Sequence, residues 1–545
     1  MTDATIDQDL ARALHLQQQG KLREGLKLCM ATARKAPRDP RPMRLAGHLL
    51  FALDQADHAA RALGVAASLA PGSTELQGEL GACLLASGQA ELALPHLDRA
   101  AAAQPDNARY QAHKALALRA LRRLDQALLH LERAVALAPE LADLHANLAS
   151  TLETLGRNEE AAAAAHRAIE LDPQQSLARL VLAQLTREAG EHTRARTQLE
   201  ALLAQPLPVQ ERSWALLELG KVLDRLDDPA QAMAALEQGQ RLAGELPAAQ
   251  RVDRAHFPAM LQRLATYYAQ ACSEPAPTQP AALCAATPCP AFLLGFPRSG
   301  TTLMEQVLLA HPGVASVDEH ELLGETLRAL PRTIGRPLRY PDDLASLSEA
   351  ERIALRQDYH RHLQAQLGLD QGAWPARVVD KMPLNIVHVG FIQALFPEAP
   401  LLVMLRDPRD CTLSGFMQSF VPTVAMIHFD SLAGSAALYA GVMGCWLQAR
   451  RLPGPKLLEL RYEDLIGDLE ATARQAVAHL GLPWDPAVLE YRAGVTGRYI
   501  STPSRQDVAQ PMFTRARGRW HRYRAQLEPL QPLLAPYVEA LGYEA

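Results

Sequence analysis

Small and apolar residues recur through the first half of the chain at one long, fixed period. Prolines stand at Pro37, Pro71, Pro105, Pro139 and Pro173, each 34 residues after the last. Small residues keep the same period at Gly47, Gly81, Ala115, Ala149 and Ala183, and again at Gly25, Ala59, Ala93, Ala127, Ala161 and Ala195. A third series, Gly20, Asp54, Gly88, Arg122, Gly156 and Gly190, marks turns in the same register. The apolar residues between these markers follow a helical period, so each unit reads as a helix-turn-helix pair. Small residues at a helix crossing allow close approach, and a proline cannot continue the helix before it. The last unit slips by three, since Gly220 lies 37 residues after Ala183, with Pro206 and Pro208 at the insertion. Helical pattern continues over 252–271, and 273–290, rich in proline and alanine, breaks it and reads as a linker.

The period then changes. Phe292, Leu293 and Leu294 are apolar, Gly295 to Thr302 supply glycine, proline and hydroxyls, and Leu303 to Leu309 resume a helix. A strand, a tight loop and a helix in that order leave unpaired N–H groups and the positive end of a helix dipole above the loop, which is an anion cradle suited to phosphate. The spacing Gly295-x4-Gly300-x-Thr302 approaches the nucleoside triphosphatase loop, but Thr301 fills the lysine slot and the nearby cation is Arg298. A short strand over 314–317 runs into Asp318, Glu319, His320 and Glu321, three acids around a histidine that are a candidate general base. The charged helical segment 326–370 reads as a lid or substrate-side insertion. Lys381 follows a β-rich run at 377–380, and in a parallel sheet it points into the crevice of the loop. The apolar strand 400–405 leads into Arg406 and a helix carrying Ser414, a second anion site, and the strand 456–461 ends at Tyr462.

Length and charge narrow the classes. A chain of 545 residues suggests two to four domains. With 55 basic and 60 acidic residues there is no global attraction to nucleic acid or an anionic membrane, so the arginine run at 515–524 is not read as a nucleic-acid patch. Seven scattered cysteines form neither a CxxC pair nor a zinc spacing and read as reduced thiols. The first twenty residues lack a secretory pattern and no apolar run approaches the ~18 residues of a membrane span, so a soluble, cytoplasmic protein is expected.

Residues 131–171 carry Asn147, Leu148, Leu155, Gly156, Ala161, Ala165 and Ala168 in positions that resemble the tetratricopeptide repeat family. The resemblance covers 8–240, about six units, followed by a helix and linker at 241–290. It implies an all-α solenoid that binds a protein or peptide, or that pairs with a second copy as a homodimer. Residues 291–545 resemble the PAPS-dependent sulfotransferases, PAPS being 3′-phosphoadenosine 5′-phosphosulfate. The resemblance rests on PRSGTT at 297–302, Arg406 and Ser414 in RDPRDCTLSG, RYEDL at 461–465, and the pair Arg519 and Trp520, in that order. It implies an α/β domain with a three-layer parallel sheet of the P-loop-like type, PAPS as co-substrate and no metal.

The whole arrangement resembles bacterial repeat-containing sulfotransferases, and the second half is most similar to the protein-tyrosine sulfotransferase type. That resemblance implies catalytic roles for Glu319, Lys381 and Arg298. It implies cofactor contacts at Arg298, Ser299, Gly300, Thr301, Thr302, Arg406, Ser414, Tyr462 and Ser504, with Arg519 near a further one. Glu321 stands where the tyrosine enzymes carry a substrate-side arginine, and no lysine stands between Asp507 and Gln510, so the acceptor is left among protein tyrosine, glycan and small phenol. The competing reading is a repeat scaffold with a degenerate nucleotide-binding domain, and a third is a nucleotide kinase with an aberrant loop.

Overall fold

Each residue of the third periodic series turns the chain through the left-handed region: φ is 74° at Gly20, 59° at Asp54, 76° at Gly88, 61° at Arg122, 81° at Gly156 and 84° at Gly190. The computed structural model describes residues 3–272, 289–368, 374–454, 456–492 and 516–544. Two compact units emerge, Met1–Glu218 with Glu245–Arg251, and Leu219–Gly244 with Val252–Ala545.

The first unit is a succession of paired helices, beginning Asp3–Gln18, Leu22–Lys35, Pro40–Ala52 and Ala56–Leu69. The small-residue series marks where the two helices of a pair touch. A Cβ on Gly47 would lie 2.6 Å from Leu63 Cγ, and one on Gly81 would lie 2.6 Å from Leu97 Cγ, one period later. Side chains such as Ala46, Leu49, Leu63, Leu97, Ala115 and Leu131 share one core through the first helix pairs, and Ala149, Leu152, Ala165 and Val181 form the next. The slip of three also appears in the backbone, because the next left-handed turn is Asp227 at φ 63°, 37 residues after Gly190. There Gly220 meets Leu236, within the second unit.

The second unit is built on five parallel strands among the described residues: β1 (Ala291–Gly295), β2 (Val314–Ser316), β3 (Arg377–Lys381), β4 (Pro400–Leu405) and β5 (Lys456–Arg461). Their order is β2-β3-β1-β4-β5. Leu293 pairs with Lys381 and Gly295 with Met404, which fixes the register of the three central strands. β1 and β4 are buried at every position, as expected of strands covered on both faces. Alternate residues serve opposite layers: Phe292, Leu294, Leu401 and Val403 enter one core, and Ala291, Leu293, Leu402 and Met404 the other. The chain leaves β1 toward β2 on one side and β4 toward β5 on the other, and such a reversal opens a crevice at the carboxyl ends of the strands.

Two segments that the sequence places at the margins belong to this core. The 326–370 stretch, expected as a lid or insertion, forms helices Leu322–Ile334 and Glu349–Leu367. Their Leu330, Leu355, Tyr359 and Leu363 pack in the same cluster as Phe292, because apolar residues spaced three and four apart line one helix face. The helix His256–Ala271 contributes Phe257, Leu261, Leu264 and Tyr268. The Tyr268 hydroxyl donates to the Val387 carbonyl at 2.7 Å and accepts from the Gly390 N–H at 3.1 Å. No described helix is long and apolar enough to cross a membrane.

Candidate active site

All five strands deliver chemistry at the same end of the sheet. β1 delivers the glycine loop, β2 the acids from Asp318, β3 Lys381, β4 Arg406 and β5 Tyr462.

The loop is held by close approaches that only glycine permits. A Cβ on Gly295 would lie 2.5 Å from Ser299 Oγ and 2.7 Å from the Met404 carbonyl oxygen. Gly300, at φ 100°, opens the helix Thr301–Leu309, and a Cβ there would lie 2.7 Å from the ring of Tyr462. Arg298 sits at φ 74°, a left-handed conformation rare for a non-glycine residue and frequent at ligand-binding loops. Its Nε donates to Ser414 Oγ at 3.1 Å. Arg406 donates from Nη1 to the Arg298 carbonyl at 3.0 Å and stacks on the Tyr462 ring with 4.7 Å to the centroid. Its Nη2 donates to the Ala516 carbonyl at 2.5 Å. Arg298, Ser299, Gly300, Thr301, Thr302, Arg406, Ser414 and Tyr462 thus form one cradle.

The cradle has donor capacity to spare. Ser299 Oγ and Arg406 Nε are both buried and have no hydrogen-bond partner among the described residues. Buried donors left unpaired cost ~1–3 kcal/mol each, so a ligand that supplies acceptors recovers that penalty. An anion with several phosphate-type oxygens fits these donors and the helix N-terminus.

Beside the cradle lies a charged cluster around Lys381, whose side chain is fully buried. Its Nζ donates to Asp318 Oδ1 at 2.5 Å and to Glu319 Oε1 at 3.0 Å. Glu305, on the loop helix, places Oε2 3.3 Å from the same nitrogen and accepts from Ser316 Oγ through Oε1 at 2.5 Å. Burial by itself would strip the lysine of its proton, but Glu319, Glu305 and Asp318 together hold it above the ordinary lysine range. His320 is turned back on its own loop, with Nδ1 on the Val317 carbonyl.

Of the residues singled out in the sequence, Ser504 lies outside the described residues. Arg519 is committed to another partner: Nε and Nη2 donate to Asp224 at 3.2 and 2.5 Å. The backbone around it does border the cradle, because Gly518 and Trp520 N–H groups donate to Asp410 at 2.8 Å and Ala516 accepts from Arg406. Sequence reasoning missed Glu305, although an acid, the one charged residue in the mostly apolar LMEQVLL run, is a visible signal. It also missed Asp410, which pairs with Arg406 at 3.8 Å and accepts from the Gly518 and Trp520 N–H groups, and Asp224, whose arginine partners lie almost three hundred residues away.

Comparison with known proteins agrees with this partition. Residues 290–486 match the sulfotransferase family. Residues 50–117, 113–176 and 146–212 match tetratricopeptide repeats. An uncharacterized protein of Aquifex aeolicus is 28% identical over 253 residues, covering 45% of this chain and 32% of that protein. Protein-tyrosine sulfotransferase A of Caenorhabditis elegans is 24% identical over 262 residues, covering 46% of this chain and 67% of that one. The nodulation protein NoeE of Sinorhizobium fredii is 27% identical over 235 residues, covering 40% of this chain and 55% of NoeE. The chain thus spans about a third of the Aquifex protein and about two thirds of the nematode one.

Proposed function

We propose that this chain, with tetratricopeptide repeats in its N-terminal half and a sulfotransferase domain in its C-terminal half, moves the sulfuryl group of PAPS to an acceptor hydroxyl. The acceptor we propose is a protein tyrosine, presented with help from the repeat array, in the cytoplasm. The observation that carries the reading is the juxtaposition at one sheet end of a lysine paired with Glu319 at 3.0 Å and an anion cradle with unpaired donors.

Bound, the co-substrate supplies an activated sulfuryl group whose departure leaves negative charge on a phosphate oxygen. Arg298 and the N–H groups at the start of the Thr301–Leu309 helix hold the 5′-phosphate. Arg406 and Ser414 hold the 3′-phosphate, with Tyr462 and Ser504 as the remaining contacts, while the Arg519 side chain stays with Asp224. The Lys381 ammonium is placed to steady charge as it develops on the leaving oxygen. Glu319 takes the proton of the acceptor, which a tyrosine needs because its hydroxyl has a pKa of about 10. The donor has no β,γ-phosphate pair to bridge, so a loop with Thr301 in the lysine slot suffices and no metal is invoked.

Calorimetric titration with PAPS, adenosine 3′,5′-bisphosphate and ATP tests the donor. Binding of the two adenosine bisphosphate compounds at least about tenfold tighter than ATP supports the reading. Preference for ATP would replace it with a nucleotide kinase, and no binding of any would leave the array as the working part.

A further inference from the structure

Glu305 is the unexpected member of the charged cluster. Its side chain is 2% exposed, against 30% for Asp318 and 32% for Glu319. A carboxylate that deep costs several kcal/mol unless it is compensated. One compensation is Ser316 Oγ, which donates to Oε1. The other is Lys381, 3.3 Å from Oε2, an oxygen that accepts no hydrogen bond among the described residues. An ammonium has three protons. Two go to Asp318 and Glu319 at the mouth of the site, and Glu305 stands 3.3 Å from the same nitrogen as an ion pair without a hydrogen bond.

The proposed reaction requires Lys381 and Glu319 to part. Glu319 must give up its ion pair to accept a proton, and the ammonium must turn toward an incoming anion. A buried ammonium released by both partners at the mouth still needs a fixed counter-charge. We infer that Glu305 is that counter-charge, a positioning residue that holds Lys381 from the interior side when Asp318 and Glu319 let go. The inference rests on the sulfotransferase reading for its purpose and on the cluster geometry for its substance.

The protonation of Glu305 makes this measurable. Burial pushes its carboxyl up to about 7, Lys381 and Ser316 oppose, and Asp318 and Glu319 add to the rise; among the described residues the charged groups facing it are Lys381, Asp318 and Glu319. The folded protein therefore keeps a proton that the unfolded chain releases near 4.5, and stability falls as pH climbs from about 4.5 to about 7.

The test uses the full chain, Glu305→Gln and Ser316→Ala. Glutamine keeps the volume and an acceptor oxygen for Ser316 but removes the charge. Melting from about pH 5 to about pH 8 should show that Glu305→Gln loses part of the decline in Tm, while Ser316→Ala, lacking the donor that steadies the charged form, shifts the decline to higher pH. Titration with adenosine 3′,5′-bisphosphate at about pH 8 should give Glu305→Gln binding about three- to tenfold tighter, with one negative charge fewer beside the anion, yet sulfuryl turnover about tenfold slower or worse. A merely structural role would weaken both together. Wild-type Tm slopes in both variants would overturn the inference, as would unchanged affinity and turnover in Glu305→Gln. Wild-type protein that ignores the nucleotide would refute the donor reading instead, and the melting arm would still decide the Glu305–Lys381 pairing.

Discussion

At the scale of single residues, the cradle's affinity should be concentrated in Arg406. It braces the loop through the Arg298 carbonyl, anchors the chain at Ala516, and keeps a buried Nε unpaired. Arg406→Ala should weaken adenosine 3′,5′-bisphosphate by about 10- to 100-fold, the worth of charge-assisted hydrogen bonds of ~1.5–3 kcal/mol, and calorimetry reads this directly. Unchanged affinity would remove Arg406 from the 3′-phosphate site. Arg298, Arg406, Lys381 and Glu319 could be singled out in the sequence because each stands at or just past the end of an apolar or β-rich run, where ligands bind in parallel sheets, and Ser414 because its helix follows β4 directly. Glu305 was not, since an acid among leucines does not reveal that a lysine from β3 lies 3.3 Å away. Nor was the pairing of Arg519 with Asp224, which joins residues 295 positions apart.

At the scale of elements, glycines at equivalent-looking places do different work. In the helix Thr74–Ala86 a Cβ on Gly81 would lie 2.6 Å from Leu97 Cγ and 2.7 Å from Cδ2. In the helix Ala56–Leu69 a Cβ on Gly64 would meet nothing within 4 Å. Alanine at Gly64 should therefore stabilise the array by up to ~1 kcal/mol through helix propensity alone. Alanine at Gly81 gains the same but incurs ~1–3 kcal/mol of crowding, for a net loss of up to ~2 kcal/mol. Chemical denaturation distinguishes the two; equal effects would mean that the small-residue series does not set the helix crossing. The period itself was readable because turn, crossing and proline markers repeat at 34 residues. The packing of the helix Glu349–Leu367 was not, because the buried Arg356, Asp358 and His360 interrupt the inner stripe of Leu355, Tyr359 and Leu363.

At the scale of the whole molecule, the second unit begins in sequence well before its first strand. Residues 219–244 and 252–271 belong to it, and Phe257, Leu261, Leu264 and Tyr268 are part of the core that covers β1. Asp224, 3% exposed in side chain, takes hydrogen bonds from Arg519, Arg522 and the Tyr523 hydroxyl. A fragment starting at residue 219 should fold and bind adenosine 3′,5′-bisphosphate, whereas one starting at 291 should aggregate, because it exposes the apolar surface that those helices cover and leaves two arginines without Asp224. Asp224→Ala in the full chain should cost ~3–5 kcal/mol, as removal of one member of a buried ion pair does. Soluble, nucleotide-binding 291–545 would show that the preceding helices are dispensable.

The central claim is sulfuryl transfer with Glu319 as base, and transfer of label from sulfur-labelled PAPS tests it most directly. The acceptors are a tyrosine peptide, a glycan and a simple phenol, each offered to the full chain and to Glu319→Gln. The account predicts labelled tyrosine peptide with the wild-type chain and a rate about 10²- to 10⁴-fold lower with the variant. Label on the glycan or phenol alone would keep the enzyme and change the acceptor. Near-full turnover by Glu319→Gln together with loss in His320→Ala would move the base to His320, and PAPS bound without transfer to any acceptor would contradict the account.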